Sequence, residues 1–340
     1  MPKLTPAHLK INEYIAQHKL IPVDQFMQIA TQHYYAHHEP FGEEGDFITA
    51  PEASQMFGEI IGVWCTNVWS KLKLGKFSLV EIGGGRGLLM KDLLRATKHI
   101  AEFNDALEHI YLVENSDRLV RIQQAEIKDD RAKWVSHIDL VPQGNLLVIA
   151  NEFFDALPIK QYKNTKGGWK ERIITNTAKK LEFSLAKNPT AIAYSAPEGS
   201  ILETSEVRLE YARHMAEKVA QGALLIIDYG YIEKTFCSTL QAVKGHKYHE
   251  VLKDIGNADL TTHVDFSALI QLFNSLGFAS HIVTQGDFLL DYGIGLRAKK
   301  LIENGAKEGV IMNQLNRLVH PEQMGELFKV LQVVLVGIAK

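Results

Sequence analysis

Short, nearly uninterrupted runs of apolar residues recur along the chain, and most of them stop at an acid, an amide or a glycine. Runs of this kind are typical of strands that helices cover on both faces. The stretches between them carry apolar residues at helical spacing. This alternation predicts an α/β fold with strands at residues 77–82, 109–114, 138–141, 145–150, 223–228, 279–283 and 328–336.

The first part of the chain is predicted to be helical. Two helices within residues 5–36 are expected to separate at Pro22, which favours a helix start over a helix interior. Thr49 and Glu52 form a capping box, so a single long amphipathic helix is expected to begin there. The acidic loop before it, residues 42–52, is either a lid over a cationic substrate or a solvated connector.

The middle of the chain predicts an elaboration of the main sheet. Residues 159–187 alternate in a way that predicts a β-hairpin turning at Gly167 and Gly168. A second capping box, at residues 200–203, predicts the start of another helix. Residues 231–262 show no steady period and are expected to form an insertion that faces substrate or a partner.

A glycine-rich turn joins the first predicted strand to a helix. It reads Glu81-x-Gly83-x-Gly85-x-Gly87, with Gly84 as a further glycine. Glycine lets the main chain turn sharply and removes the Cβ atoms that would hold a ligand away. The following helix begins with amide groups that have no partner within the helix. The turn is therefore expected to bind a nucleotide-like cofactor.

The register of the glycines decides between two cofactors. A dinucleotide site needs G-x-G-x-x-G/A with a small last residue, but Leu88 or Met90 occupies that position here. An acid followed by alternating glycines is instead the pattern of Rossmann-like methyltransferases that use S-adenosylmethionine. Glu81 suits this cofactor, which carries a sulfonium and an ammonium group but no phosphate. The register therefore disfavours a nicotinamide-dependent oxidoreductase.

Two further strand ends carry candidate site residues. Glu114 ends the second predicted strand, where an acid accepts hydrogen bonds from ribose hydroxyls. The fourth strand opens into N-E-F-F-D-A-L-P at residues 151–158, and open α/β sheets bind ligands at this edge. Asn151 is expected to touch the methionine end of the cofactor. Glu152 and Asp155 are candidate catalytic acids.

The composition argues mainly against certain functions and locations. The net charge of -3 and the 46% hydrophobic content indicate a folded protein with no general attraction to nucleic acid. Two cysteines without a paired spacing, and His33 with His37 lacking a third ligand, suggest no metal site. No apolar run is long enough to span a membrane. The first ten residues lack the features of a signal or transit peptide, so a cytoplasmic location is expected.

Six strings spread over most of the chain carry a family resemblance. They are G-D-F-I-T-A-P-E-A-S-Q-M-F-G-E at 45–59, V-E-I-G-G-G-R-G at 80–87, N-E-F-F-D-A-L-P at 151–158, W-K-E-R at 169–172, I-D-Y-G-Y at 227–231 and T-H-V-D-F at 262–266. Together they resemble the MidA-like family of methyltransferases. The resemblance implies a Rossmann-like, seven-stranded S-adenosylmethionine methyltransferase fold with N-terminal helices and an inserted hairpin and helical substrate region.

On this fold the chain is expected to divide into four segments. Residues 1–76 are an N-terminal helical segment with the acidic loop, and 77–158 are the cofactor-binding core. Residues 159–222 are an inserted hairpin and helix. Residues 223–340 complete the core sheet and contain the insertion at 231–262.

The resemblance also implies a reaction. Mitochondrial members of the family are protein-arginine methyltransferases that assist assembly of respiratory complex I and form symmetric dimethylarginine on one of its subunits. A protein substrate presenting an arginine is therefore expected, while its identity and the oligomeric state stay open. Two alternatives also stay open: an assembly chaperone with a structural cofactor site, and a small-molecule methyltransferase.

Methyl transfer to arginine needs carboxylates, because the guanidinium pKa exceeds ~12 and the group must lose a proton as it reacts. Carboxylates can hold the guanidinium by paired hydrogen bonds and accept that proton. The candidates are Glu152, Asp155 and Asp46, with Glu52 as a further possibility. One of the two phenylalanines between Glu152 and Asp155 is expected to stack on the guanidinium or to pack in the core.

Overall fold

The computed structural model describes residues 4–38, 49–177 and 180–335. The α-helices are α1 (Pro6–His18), α2 (Val23–His37), α3 (Ala50–Ala53), α4 (Gln55–Leu72), α5 (Leu88–Thr97), α6 (Ala101–Ala106), α7 (Asp117–Glu126), α8 (Glu206–Lys218), α9 (Phe266–Ser275), α10 (Gln285–Asp291), α11 (Ile294–Glu303) and α12 (Glu308–Val319). None of these described helices combines the length and the apolar character that crossing a membrane requires.

The β-strands are β1 (Ile21–Pro22), β2 (Phe77–Ile82), β3 (Leu107–Val113), β4 (Ala132–Val135), β5 (Gly144–Asn151), β6 (Lys160–Thr165), β7 (Gly168–Thr177), β8 (Lys180–Leu185), β9 (Ile201–Thr204), β10 (Val219–Tyr231), β11 (Gln241–Lys244), β12 (Lys247–His249), β13 (Asp259–Thr261), β14 (Val264–Asp265), β15 (Phe278–Thr284) and β16 (Phe328–Leu335). The described residues fall into two compact units. The insertion unit draws on residues 1–47, 155–210 and 231–267, and the core unit on residues 48–154, 211–230 and 268–340.

The core unit contains the central sheet. Within the described residues, seven strands follow the order β15-β16-β10-β5-β2-β3-β4. The last five of these are parallel, whereas β16 is antiparallel to both β10 and β15. The chain leaves β2 on one side for β3 and β4, then crosses back to β5 and β10. This reversal creates a crevice at the carboxyl ends of β2 and β5, where open α/β sheets bind ligands. The predicted seven-stranded α/β fold is confirmed.

One predicted strand is wrong. Residues 138–141 form a 3₁₀ turn, Ile138–Leu140, in which the N–H of Val141 donates to the Ile138 carbonyl at 3.0 Å. The third parallel strand is β4, which lies just before this turn and pairs with β3. An apolar run of four residues is too short for its period to distinguish a strand from a turn.

Thr49 is the N-cap residue of a helix, as predicted, but its side chain makes no capping hydrogen bond. The second predicted capping box is misplaced. The helix that begins after Thr49 is only α3, because Ser54 adopts an extended conformation and its hydroxyl caps α4 instead. Residues 200–203 lie largely in strand β9, and the hydroxyl of Ser205 caps α8 by accepting the N–H of Arg208 at 3.1 Å. In both places a nearby serine competes for the same role, and the sequence pattern does not separate the candidates.

The insertion unit has its own sheets and core. Helices α1 and α2 meet at β1, as predicted, and pack in an apolar cluster with residues such as Ile159 and Leu260. Strands β1, β7, β6 and β9 form one sheet, with β8 beside β7. The β6–β7 pair closes at Thr165 and Gly168, which confirms the predicted hairpin. Within residues 231–262, β11, β12 and β13 form a small sheet where the sequence showed no period.

Helix α4 packs against α5 through glycine. A Cβ at Gly58 would lie 2.8 Å from the Cβ of Asp92 and 2.8 Å from the carbonyl oxygen of Leu89. These distances are shorter than real carbon contacts, so only glycine allows the two helices to approach this closely. Helix α5 begins directly after Gly87, and this packing therefore fixes the helix that leaves the glycine turn.

We predict that Gly58→Ala lowers the free energy of unfolding by about 1–3 kcal/mol, because the added methyl overpacks a helix contact that includes main-chain atoms. Urea denaturation followed by circular dichroism measures the change. Gly309→Ala in α12 is the matched control, since nothing lies within 4 Å of its added methyl. Equal stability of the two variants would contradict the close packing of α4 on α5.

Candidate active site

Three glycines of the turn have positive φ angles, which favour glycine over other residues. Gly83, Gly85 and Gly87 have φ angles of 66°, 53° and 81°, in the left-handed region that other residues rarely adopt. A Cβ at Gly83 would also lie 2.8 Å from Cδ2 of Phe153. The turn therefore brings bare main chain to the carboxyl end of β2, with the start of α5 directly after it.

Glu81 is a buried acid beneath this turn. Its side chain lies 2.9 Å from the position of a Cβ at Gly84, and the residue is only 2% exposed. Its Oε2 atom has no hydrogen-bond partner among the described residues. Burial, and to a lesser extent the charge of Glu114, raises the pKa of Glu81 to about 8. An anionic carboxylate here requires a ligand that supplies hydrogen-bond donors or positive charge.

Strand β5 ends beside β2 with a second unfilled acceptor. The buried Oδ1 of Asn151 has no partner among the described residues, while its Nδ2 donates to Oε1 of Glu152 at 3.2 Å. The same Oε1 accepts the N–H of Ala50 at 3.0 Å. Glu152 has a φ of 49°, a left-handed conformation that costs a residue with a side chain about 1–3 kcal/mol.

Glu114 and the glycine turn share a partner that the sequence did not reveal. Gln123, on α7, is fully buried. Its Nε2 donates to the carbonyl of Gly85 at 2.9 Å and reaches Oε2 of Glu114 at 3.5 Å. Its Oε1 accepts the indole N–H of Trp134 at 3.0 Å. One side-chain amide therefore links the turn to the predicted ribose-binding acid.

Asp228, at the carboxyl end of β10, is a second residue that sequence reasoning did not assign. It is fully buried, and its Oδ2 accepts the N–H of Phe154 at 3.0 Å. Its Oδ1 accepts the N–H of Tyr229, also at 3.0 Å. The acid of the I-D-Y-G-Y string thus supports the main chain that follows Glu152. Only its place at the end of an apolar strand hinted at a role.

The two phenylalanines have different environments within the core unit. Phe154 is fully buried and serves as a core residue. Phe153 lies against the glycine turn at Gly83, and its ring centroid is 4.8 Å from that of Tyr211 on α8. Of the two, Phe153 is therefore the aromatic residue that borders the predicted cofactor site.

The remaining predicted acids are Asp155, Glu52 and Asp46. Asp155 belongs to the insertion unit and is buried, and its carbonyl accepts the Thr262 N–H at 3.1 Å and an Arg208 N–H at 3.0 Å. Oε2 of Glu52 lies 3.5 Å from Nη1 of Arg86 in the glycine turn, so these two residues form an ion pair. Asp46 lies outside the described residues.

The core-unit residues fit S-adenosylmethionine. Its ammonium group offers the donors that Oε2 of Glu81 and Oδ1 of Asn151 lack, and its positive charge favours the ionised form of Glu81. Glu114 stands at the strand end where an acid accepts ribose hydroxyls. Four glycines, Gly83, Gly84, Gly85 and Gly87, leave the main chain open to a ligand.

Comparisons with known proteins identify the family. The sequence model of a family described as "Putative S-adenosyl-L-methionine-dependent methyltransferase" matches residues 60–284. The chain belongs to this family. It is 35% identical over 377 residues to the mitochondrial protein arginine methyltransferase NDUFAF7 of Xenopus laevis. This alignment covers 98% of this chain and 86% of the relative. The human protein of the same name is 31% identical over 336 residues, and the alignment covers 87% of this chain and 75% of the human protein.

Solved structures agree on the fold. A Burkholderia thailandensis protein bound to S-adenosylhomocysteine superposes with a TM-score of 0.86 at 24% identity, covering 99% of this chain and 96% of the other. A native structure from the same bacterium gives a TM-score of 0.83 at 25% identity with the same coverage. The MidA-like resemblance is confirmed: the protein is a methyltransferase whose cofactor is S-adenosylmethionine.

One sequence-based prediction is wrong. The expected cytoplasmic location is contradicted by the relatives, which are named as mitochondrial proteins. The prediction rested on the unpaired cysteines, on the lack of a membrane-spanning run and on the composition of the first ten residues, and the names of the relatives overturn it.

The raised pKa of Glu81 predicts proton release when the cofactor binds. With a pKa of about 8, the free protein holds this proton at neutral pH, and a ligand ammonium lowers the pKa by favouring the carboxylate. The affinity for S-adenosylhomocysteine should therefore rise from pH 6 to 8 and level off above. Calorimetry in buffers of different ionisation enthalpy measures the released proton. Glu81→Gln should abolish this release, and a pH-independent wild-type affinity would contradict the assignment.

We predict that Gln123→Leu weakens S-adenosylhomocysteine binding about tenfold or more, since it leaves the Gly85 carbonyl and the Trp134 N–H without their partner. Calorimetry gives the affinity, and the melting temperature of the ligand-free protein reports stability separately. Gln124→Leu, on the exposed side of the same helix, should retain wild-type affinity. A lowered melting temperature with unchanged affinity would assign Gln123 a purely structural role.

Proposed function

We propose that this methyltransferase modifies arginine side chains of a protein substrate. The observation that supports this most is the similarity to proteins named as arginine methyltransferases, at 35% identity over 98% of the chain. The product we propose is symmetric dimethylarginine. The first substrate to test is a subunit of respiratory complex I, as the resemblance implies.

The site offers a fixed carboxylate for this reaction. S-adenosylmethionine, when bound, supplies the methyl group from its sulfonium. Glu152 stands at the carboxyl end of β5, with its N–H held by the Ile227 carbonyl at 2.9 Å and its Oε1 held by Ala50 and Asn151. We assign it to hold the guanidinium by paired hydrogen bonds and to accept the proton that the reacting nitrogen loses.

The backbone of Glu152 supports this role. Lys19 and Lys73 adopt a left-handed conformation at helix ends, but Glu152 does so at the end of a strand, and strained residues of this kind cluster at functional sites. In a purely structural turn the same position would favour glycine or asparagine, which adopt this conformation at lower cost. Holding the acceptor and the methyl donor in a fixed geometry is the main contribution an enzyme makes to a direct methyl transfer.

Asp155 and Asp46 are the further catalytic carboxylates of the proposal. A second carboxylate on the guanidinium would fix its plane and keep the reacting nitrogen in one orientation. The burial of Asp155 in the insertion unit suits a group that acts away from bulk water. Asp46 is included from the sequence alone, since it lies outside the described residues.

The proposed activity is tested by mass spectrometry of arginine methylation in the host proteome with and without the gene. Loss of a dimethylarginine site in the deletion strain, and its restoration by the wild-type gene, is the expected result. A proteome with no altered arginine site, together with purified protein that binds S-adenosylhomocysteine, would contradict arginine as the acceptor and leave the cofactor assignment intact.

Complementation with Glu152→Gln tests the catalytic carboxylate. We predict that this variant binds S-adenosylhomocysteine like the wild type but transfers methyl groups at least about 100-fold more slowly, because it cannot take up the proton. Glu217→Gln, an exposed acid on α8, is the matched control and should restore the modification. Wild-type methylation by Glu152→Gln would remove Glu152 from the mechanism.

A further inference from the structure

Two histidines and an aspartate converge on the surface of the core unit, beside the 3₁₀ turn that follows β4. Nδ1 of His137 lies 3.0 Å from Oδ2 of Asp139, and Nδ1 of His214 lies 3.3 Å from Oδ1 of the same carboxylate. One ligand atom from each of the three residues can be chosen within 4.8 Å of the others. His214 comes from α8, so the sequence spacing alone does not reveal the cluster.

Helix α8 holds the 3₁₀ turn in place. Lys218 donates from Nζ to the Asp139 carbonyl at 2.7 Å, and the ring of Tyr211 lies 5.2 Å from that of His137. Tyr211, His214 and Lys218 are spaced at i, i+3 and i+7, which places them on one face of the helix. The side chains that converge on Asp139 are therefore positioned by contacts on both sides of the cluster.

Asp139 is the common partner of the two imidazoles. Nδ1 of His137 lies 3.0 Å from one carboxylate oxygen, Oδ2, and Nδ1 of His214 lies 3.3 Å from the other, Oδ1. A positive ion bound here would take one lone pair from each imidazole and one from the carboxylate.

We propose that His137, Asp139 and His214 bind a divalent transition-metal ion, of which Zn²⁺ matches the donors best. Two imidazole nitrogens and one carboxylate oxygen are a common protein ligand set for zinc. A tetrahedral zinc ion with bonds of ~2.0 Å separates its ligand atoms by roughly 3.3 Å. Nδ1 of His137 lies 3.0 Å from Oδ2 and Nδ1 of His214 lies 3.3 Å from Oδ1, so the carboxylate is within reach of an ion bound to either imidazole. The side chain of Asp139 is 52% exposed, which leaves the fourth position open to water.

The site adjoins the cofactor-binding turn. Tyr211 contacts His137 on one side and Phe153 on the other, with ring centroids 5.2 and 4.8 Å apart. Phe153 in turn lies against Gly83. An ion that joins α8 to the 3₁₀ turn would fix Tyr211 in this arrangement, so we assign the ion a stabilising role. Lys218 is a neighbouring cation, and its Nζ donates to the Asp139 main-chain carbonyl rather than to the carboxylate.

The experiment is calorimetric titration of the full-length protein with Zn²⁺, paired with thermal unfolding. We expect one equivalent of tightly bound zinc and a raised melting temperature. His214→Ala and Asp139→Asn should each weaken zinc binding about 10- to 100-fold or more. Loss of a residue that only hydrogen-bonds a metal ligand already has an effect of this size. Asp139→Asn nearly preserves the side-chain volume, so its loss of binding does not arise from misfolding.

A second histidine cluster provides the matched control. His33 and His37 stack on α2 with ring centroids 4.2 Å apart, so they are the main competing imidazole pair on the described surface. His37→Ala should leave the tight zinc site unchanged. Absence of stoichiometric binding to the wild type, or binding that survives His214→Ala and disappears in His37→Ala, would overturn the proposal.

Discussion

Two buried acceptors without donors are the constraint on which the core unit depends. Oε2 of Glu81 and Oδ1 of Asn151 lie at the carboxyl ends of adjacent parallel strands, and neither has a partner among the described residues. Burying such atoms without a partner costs free energy, and a ligand that supplies donors recovers it. The positive charge and N–H groups of S-adenosylmethionine would meet this need, so we propose that the cofactor completes the hydrogen bonding of these two residues.

The groups around these acceptors are held by elements that are distant in sequence. Gln123 on α7 ties the glycine turn to Glu114, while Asp228 on β10 supports the main chain after Glu152. Each is fully buried, so each contact is strengthened by the low local dielectric. The site is therefore fixed by strand ends and helices rather than by flexible loops, which suits a reaction that depends on geometry.

The parts of the site that follow a local pattern could be predicted from the sequence. The register of glycines after an acid predicted the turn. The acids at the ends of apolar strands predicted the positions of Glu114 and Glu152. Gln123 could not be found, because an amide on a helix shows its role only through contacts with other elements. The helix break at Ser54 also escaped prediction, since neighbouring serine and threonine residues offer equivalent caps.

The most direct test of this account is a crystal structure of the protein with S-adenosylhomocysteine. The account predicts that the amino group of the ligand lies within hydrogen-bond distance of both Oε2 of Glu81 and Oδ1 of Asn151, with the ribose hydroxyls on Glu114. A ligand bound in the same crevice with its amino group directed elsewhere, and with Glu81 still lacking a donor, would contradict it.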